Sequence, residues 1–186
     1  MNSTEPFLVP HALRIKHQYF LNARQRHLKN VARRGESCWE SLASYVDLIT
    51  SGGGIALLRP VPKTTTGVEN DFLFAFSTAW RIECLKKYPM LLCLNATHNT
   101  CFPLDDSRRK NFLHTIVVKH NEAGCDVPVA FTVTSSETRV PLEYWLELMR
   151  YSTRPEGTRT FMIDCSKTEV AALNAIFQDA KIRFCH

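Results

Sequence analysis

The order of hydrophobic segments in the second half of the chain is the feature that most constrains its fold. Residues 90–96 form a nearly continuous apolar run, which predicts a strand buried on both faces. Two further strand patterns, at residues 112–119 and 127–134, are joined through a hairpin-like turn at residues 121–124. A helix from Val140, a strand at Thr160–Ile163, a helix at residues 166–179 and a strand at Lys181–Phe184 follow. The predicted order from Met90 is therefore β-β-β-α-β-α-β.

Local signals define both helices of this region. Pro141 stands at a first helical position, and an apolar stripe of Leu142, Trp145, Leu146 and Met149 follows at helical spacing. Ser166 and Glu169 fit a capping box, which predicts the start of the second helix. Its predicted buried positions are Val170, Leu173, Ala175, Ile176 and Phe177.

The preceding residues, 37–89, predict a helix, a hairpin and a second helix. Ser37 and Glu40 form another capping-box pattern, and the glycines at 52–54 end the helix that it opens. Residues 55–61 and 71–77 predict two strands, and residues 78–88 predict a short helix. Trp39 and Trp80 lie on the apolar faces of these helices, as Trp145 does further along the chain. Core packing is therefore predicted for all three tryptophans.

The element order from residue 90 is that of the ribonuclease-H-like fold, an α/β architecture with a mixed five-stranded sheet and flanking helices. We predict such a unit over residues 90–186, preceded by the helix–hairpin–helix segment 37–89 and by a basic helical segment at residues 1–36. In this topology the first and fourth strands are neighbours. Asn95 lies late on the first and Asp164 at the end of the fourth, so we expect both at one metal-binding edge of the sheet.

Charge is distributed unevenly along the 186 residues, whose net charge is +5. Residues 1–36 hold seven Lys or Arg and two Glu, whereas the remaining residues carry equal numbers of basic and acidic groups. A basic segment on a neutral body is typical of nucleic-acid binding, for which the candidate residues are Arg24, Arg26, Lys29, Arg33 and Arg34. A solvated helix face explains the same charge equally well, so both interpretations stay open.

Composition excludes several classes of protein. With 45% hydrophobic and 22% charged residues, the chain is neither collagen-like nor fully disordered. No apolar run approaches the ~20 residues of a membrane span, and the N-terminus lacks a secretory-signal pattern. The seven cysteines are irregularly spaced and include no CxxC pair, which favours reduced thiols in the nucleus or cytoplasm over secretion. His98 and Cys101 supply two zinc ligands, too few for a zinc site.

Several motifs resemble one family of transposases. Leu94-Asn95-Ala96-Thr97-His98 is similar to the Asp-Ala-Thr-His motif of Mutator-like element (MULE) transposases. Further matches are Pro128-Val129-Ala130, Phe161-Met162-Ile163-Asp164 with Ala171, Ala175 and Ile176, and Cys185, which resembles the start of the family's Cys-x-x-His segment. Residues 37–88 resemble the stretch that precedes this domain in MULE-type proteins, including the SWIM zinc-finger relatives. The resemblance is most specific at residues 91–101 and 160–185.

The resemblance implies DNA strand transfer by three acidic residues and two divalent ions, Mg²⁺ or Mn²⁺. Such hard cations take oxygen ligands, and two of them stabilise the attacking and leaving oxygens of an in-line phosphoryl displacement. It makes Asp164 a catalytic and metal-binding residue and assigns the first acid position to Asn95. His98, Thr97 and Cys185 are expected beside the site.

The sequence departs from the family pattern at two of the three acids. Asn95 replaces a carboxylate by a neutral amide, which should weaken catalysis at least ~10²–10³-fold. The third acid is expected beyond His186, and Asp105 and Asp106 lie in a polar loop that is poorly placed to substitute. We therefore expect Mg²⁺ or Mn²⁺ binding to be weak or absent. A structural role for Asp164 near a helix N-terminus, and for His98 in a turn, stays open.

Three functional hypotheses follow. The first is a transposase-derived domain, truncated and without strand-transfer activity. The second is a domesticated, non-enzymatic module that binds DNA or protein. The third is an enzyme completed by another chain or by a longer form of this one. The expected partner is DNA rather than a membrane, within a homo-oligomer or a larger protein, and the expected location is the nucleus or the cytoplasm.

Overall fold

The computed structural model describes residues 34–60, 72–98, 111–122, 124–153 and 157–185. Within these ranges the helices are α1 (Cys38–Ser51), α2 (Ala79–Lys87), α3 (Arg139–Thr153) and α4 (Lys167–Ile176). The strands are β1 (Ile55–Pro60), β2 (Phe72–Ser77), β3 (Leu91–His98), β4 (Phe112–His120), β5 (Cys125–Thr134), β6 (Thr160–Ile163) and β7 (Lys181–Phe184). Of the basic helical segment predicted at residues 1–36, residues 1–33 lie outside the described residues, as do Cys101, Asp105 and Asp106.

The described strands form one mixed sheet in the order β1-β2-β5-β4-β3-β6-β7. The pairs β1–β2, β2–β5, β5–β4 and β4–β3 are antiparallel. Strand β6 pairs parallel with β3, and β7 pairs parallel with β6. Helices α3 and α4 lie in the connections that lead to the two parallel strands, which need a crossover. The predicted α/β class is confirmed, and so is the predicted pairing of the first and fourth strands counted from residue 90.

The described sheet has seven strands rather than the five predicted. The additional strands are the hairpin β1–β2, because β2 pairs with β5 from Leu73↔Thr134 to Phe76↔Phe131. Without the hairpin, β5 would present a row of unpaired backbone groups at the sheet edge. The sequence pattern identifies both strands of the hairpin, but it carries no signal for their pairing with a strand so distant in the chain.

One face of the sheet packs against helices α3 and α4. Leu94 of β3 belongs to the same buried cluster as Trp145 of α3 and Leu173 of α4. On β3 the neighbouring positions Asn95 and Thr97 are exposed. The prediction that β3 is buried on both faces is therefore wrong. The physical reason is that both crossover helices pack together over the same face of the sheet.

The core positions predicted for α3 are confirmed. Its four stripe residues are at most 2% exposed: Leu142, Trp145, Leu146 and Met149. On α4 the predicted Leu173 is buried, and Val170, Ile176 and Phe177 pack partly buried against the core. Ala175 is exposed, contrary to prediction, and the inward positions next to Leu173 belong to Ala172 and Glu169.

The other two tryptophans do not occupy the core. Trp39 is 44% exposed and Trp80 is 58% exposed, so the packing predicted for them is wrong. Helix α1 buries only Ser41 fully, and burial on α2 begins at Ile82, after the position of Trp80. The apolar spacing identifies both helices, but Trp39 and Trp80 are the second residues of their helices and lie outside the positions that the core covers. None of the helices in the described ranges has the length and hydrophobicity needed to span a membrane.

The two predicted capping boxes form differently. At α1, Ser37 Oγ accepts a hydrogen bond from the Glu40 N–H (3.1 Å), and Glu40 Oε2 accepts one from the Ser37 N–H (3.0 Å), which confirms the box. At α4, Ser166 Oγ accepts from the Glu169 N–H (3.3 Å), but the Ser166 N–H donates to the Asp164 carbonyl oxygen (2.7 Å). The Glu169 carboxylate is therefore not used for capping.

Candidate functional site

Asn95 and Asp164 lie at the same edge of the sheet, as expected. The parallel register of β3 and β6 ends at the pair Leu94↔Ile163, and Asn95 and Asp164 are the next residues on the two strands. Both are exposed, and Asn95 remains paired with Thr115 on β4. The point where the β3–β6 pairing ends thus supplies one amide and one carboxylate.

The remaining residues expected beside the site lie near this edge. Thr97 is exposed on β3, two residues beyond Asn95. His98 ends β3 with its backbone paired to Phe112, while its side chain lies outside the described part of the structure. Cys185 is exposed, and its backbone N–H donates to the Ile163 carbonyl oxygen (2.9 Å). This bond continues the β6–β7 pairing and brings Cys185 alongside the end of β6.

The donor set at this edge does not fit a two-metal centre. Two hard cations need several oxygen ligands with carboxylates supplying the negative charge. In the described ranges, no group of three or more His, Cys, Asp or Glu side chains could hold a metal ion. Asn95 offers a neutral oxygen, and Asp164 is the single carboxylate of the two adjacent positions.

A pocket of about 300 Å³ opens beside the same edge, on the face that the helices cover. Residues of four parts of the fold line it: the end of β3, the inward side of β4, the start of α3 and the β6–α4 junction. They are Ala96, His114, Glu137, Leu142, Asp164, Cys165, Ser166, Thr168 and Glu169. Asp164 thus lies both next to the end of the β3–β6 pairing, as Asn95 does, and at the rim of this pocket.

The deepest polar groups of the pocket are His114 and Glu169, which are 4% and 2% exposed. His114 Nδ1 lies 3.8 Å from Glu169 Oε1, which is longer than a hydrogen bond. Both ring nitrogens of His114 lack a hydrogen-bond partner in the described part of the chain, and so does the Oε2 atom of Glu169. Buried polar groups are normally paired, since an unmade hydrogen bond costs about 1–3 kcal/mol.

Two further buried polar atoms near this pair also lack partners among the described residues. They are Trp145 Nε1 and Thr132 Oγ1. The rings of Trp145 and His114 are 6.4 Å apart, and Thr132 is the register partner of His114 on β5. The pocket therefore lies over a group of under-satisfied polar atoms rather than over a purely apolar core.

Sequence reasoning did not identify His114 as a site residue, and it gave Glu169 a capping role only. One signal was present for His114. Phe112, Ile116 and Val118 alternate along β4 and are buried, so His114 occupies an inward position of a period-two pattern. A histidine at such a position needs a polar neighbour, but the sequence does not show that Glu169 is that neighbour.

The candidate nucleic-acid contacts fall mostly outside the described residues. Arg24, Arg26, Lys29 and Arg33 lie there, and of the five candidates Arg34 is described. Arg34 is exposed, and its guanidinium carbon lies 5.0 Å from the centre of the Tyr45 ring. Its backbone N–H donates to Ser41 Oγ (3.1 Å). This contact holds Arg34 beside α1, with its charge accessible to solvent.

No protein-family model matches the chain, and no curated protein is similar enough to count as a match.

Proposed function

We propose that the chain is a transposase-derived, ribonuclease-H-like domain of the MULE type that has lost strand-transfer activity. The support begins with the motifs around Asn95 and Asp164. It is strengthened by the strand order β5-β4-β3-β6-β7, an antiparallel meander with two parallel strands added beside its first strand. This arrangement is the one that the motif resemblance implies for the catalytic fold.

The adjacency of Asn95 and Asp164 is the observation that carries the proposal. An amide can donate an oxygen to a cation, but it adds no negative charge to offset the two positive charges of Mg²⁺ or Mn²⁺. Replacing one of the two adjacent acids therefore removes charge where the resemblance requires it. We expect metal binding at this edge to be weak or absent and DNA cleavage to be lost.

The surroundings of Asp164 support an inherited site residue over a structural acid. Ser166, not Asp164, caps α4 through its side chain. Within the described part of the chain, the Asp164 carboxylate makes no hydrogen bond or ion pair, and Asp164 is exposed at the strand end. An acid retained without a structural partner is consistent with a site that once bound a cation.

Restoring the carboxylate tests the proposal. We expect Asn95→Asp to strengthen Mn²⁺ binding, measured by calorimetry, at least about tenfold over the natural chain. The double variant Asn95→Asp with Asp164→Ala should lose this gain in Mn²⁺ affinity. As a control, Asp47→Ala on the exposed side of α1 should leave Mn²⁺ affinity unchanged. Robust metal-dependent nicking of DNA by the natural chain, abolished by Asp164→Ala, would show that the activity is retained.

The alternative function is a non-enzymatic module that binds DNA or protein. Its support is the concentration of charge in residues 1–36 and the solvent-accessible guanidinium of Arg34. The two functions are compatible, because loss of strand transfer leaves electrostatic DNA binding intact. Salt dependence of DNA affinity separates phosphate binding from a merely solvated surface.

A further inference from the structure

The pocket beside α4 contains chemistry that a degenerate transposase site does not use. Its floor holds a carboxylate, Glu169, that is 2% exposed and whose Oε2 atom has no donor among the described residues. Buried polar groups are normally hydrogen-bonded, so an unpartnered carboxyl oxygen facing a cavity points to a polar ligand there. His114, 4% exposed and equally without a hydrogen-bond partner there, lies beside it.

The charge of the lining defines the sign of the ligand. Asp164 and Glu169 contribute two carboxylates to the lining of a cavity of about 300 Å³, a volume suited to a small group rather than a large cofactor. Carboxylates accept hydrogen bonds and donate none when ionised. The complementary ligand is therefore a cation that carries several N–H donors.

A bare metal ion is the weaker match to this lining. No group of three or more acidic, histidine or cysteine side chains in the described ranges is arranged to hold one ion. The acceptors are instead distributed from the buried floor at Glu169 to the rim at Asp164. Such spacing suits a ligand with donors on several sides.

We propose that this pocket binds a guanidinium group, with Glu169 as its buried carboxylate partner. A guanidinium presents five N–H donors in a plane and pairs with carboxylates in a forked geometry. Its apolar stem can pack against Ala96 and Leu142, the apolar part of the lining. The 3.8 Å gap between His114 and Glu169 leaves both groups available to a third polar group. The source of the guanidinium is a small alkylguanidinium or an arginine side chain of a peptide.

Titration of the full chain with butylguanidinium tests the proposal, with butylurea as its neutral analogue. The buffer contains a chelator, so that metal binding at Asp164 does not contribute. The readout is the indole N–H signal of Trp145 in the NMR spectrum, since its ring lies 6.4 Å from that of His114. We expect butylguanidinium to shift this signal saturably and butylurea to leave it unchanged, with the exposed Trp39 and Trp80 as internal references.

Two variants locate the binding site. Glu169→Gln keeps the size of the side chain and removes its charge, and we expect at least a tenfold loss of affinity, or about 1.4 kcal/mol. Asp164→Asn should also weaken binding, and its exposed position makes folding secure if Glu169→Gln fails to fold. Glu147→Gln, an exposed acid of α3 outside this pocket, should bind as the natural chain does.

A second titration separates the two sources. A blocked tripeptide with a central arginine is compared with the same peptide containing citrulline. Stronger binding of the arginine peptide than of butylguanidinium assigns the pocket to a peptide partner, and the reverse assigns it to a small guanidinium compound. Equal response to butylurea and butylguanidinium, no shift of Trp145, or unchanged affinity in both Glu169→Gln and Asp164→Asn would overturn the proposal.

Discussion

At the sheet edge that holds Asn95 and Asp164, the amide of the first and the carboxylate of the second differ by a single heavy atom. An amide and a carboxylate have nearly the same shape, so either side chain at position 95 would allow the observed backbone pairing of Asn95 with Thr115. What changes is charge, and charge is what a divalent cation requires. The fold at this edge is therefore compatible with either residue, and the charge at position 95 determines how well the edge can bind a cation.

Cys93 offers a test of residue environment that is independent of any function. Partial burial raises the pKa of its thiol, and the charges of Asp126 and Cys185 raise this pKa further. A raised pKa leaves less reactive thiolate at neutral pH. We expect alkylation of Cys93, measured by mass spectrometry, to be slower than that of the exposed Cys125 and Cys165. The pH midpoint of the Cys93 reaction should lie above the ordinary value of a cysteine thiol.

The pH midpoint separates an electrostatic effect from simple shielding. Shielding lowers the rate at every pH, whereas a raised pKa moves the whole profile to higher pH. Asp126→Asn should move the Cys93 profile back toward lower pH and leave that of Cys165 unchanged. A Cys93 midpoint at or below the ordinary value of a cysteine thiol would contradict the environment described for β3.

The secondary elements show which information the sequence holds and which it lacks. The helix α3 was predictable because its apolar stripe, ending at Met149, repeats with the helical period and is buried throughout. The pairing of β2 with β5 was not, because periodicity is local and this contact joins distant segments. For Glu169 the sequence predicts one part and misses the other. Its spacing from Ser166 correctly predicts that the Glu169 N–H is capped, but it does not show that the carboxylate is buried beside His114.

Because sequence patterns are local, only part of the candidate site could be predicted. The motif around Asn95 and the strand that ends before Asp164 are each recognisable from a short stretch of sequence. Once the strand order is known, it follows that the two residues lie at the same edge of the sheet. The pocket over His114 is assembled from β3, β4, α3 and α4. Its existence depends on side-chain directions at four separate elements, which the sequence pattern alone does not fix.

The tryptophans test the different burial of α2 and α3. Trp145→Ala removes a side chain that is fully buried, and we expect the free energy of unfolding to fall by about 3–5 kcal/mol. Trp80→Ala changes a side chain that is 58% exposed, so we expect a change within about 0.5 kcal/mol. Urea unfolding followed by circular dichroism measures both. Equal losses would show that α2 packs through Trp80 as firmly as α3 does through Trp145.

At the scale of the molecule, the hairpin segment and the later strands share one hydrophobic core. Leu73 of β2 and Leu85 of α2 belong to the same buried cluster as Trp145 of α3 and Phe161 of β6. Residues 37–89 therefore contribute directly to the packing of the sheet. An exposed link, Lys87 to Glu122 at 2.6 Å, also joins the end of α2 to the β4–β5 turn.

The uneven charge of the whole chain makes a prediction about DNA. If residues 1–36 bind phosphate, affinity for a short duplex falls steeply with salt, with a log–log slope of about −0.9 for each phosphate neutralised. We expect Arg24, Arg26, Arg33 and Arg34, changed together to Ala, to weaken binding and to flatten this slope by about 3–4. Fluorescence anisotropy at several salt concentrations measures both quantities.

A matched control separates a local contact from the effect of net charge. Replacing Lys86, Lys87, Lys119 and Arg139 by Ala removes four positive charges from exposed positions of the body, the same number as in the N-terminal variant. Because long-range attraction depends on total charge, a general electrostatic effect would weaken binding equally in both variants. Direct phosphate contacts in residues 1–36 predict a flattened slope for the N-terminal variant and a nearly unchanged slope for the control. Equal slopes in all three proteins would remove the basic segment from DNA binding and favour the interpretation of a solvated helix face.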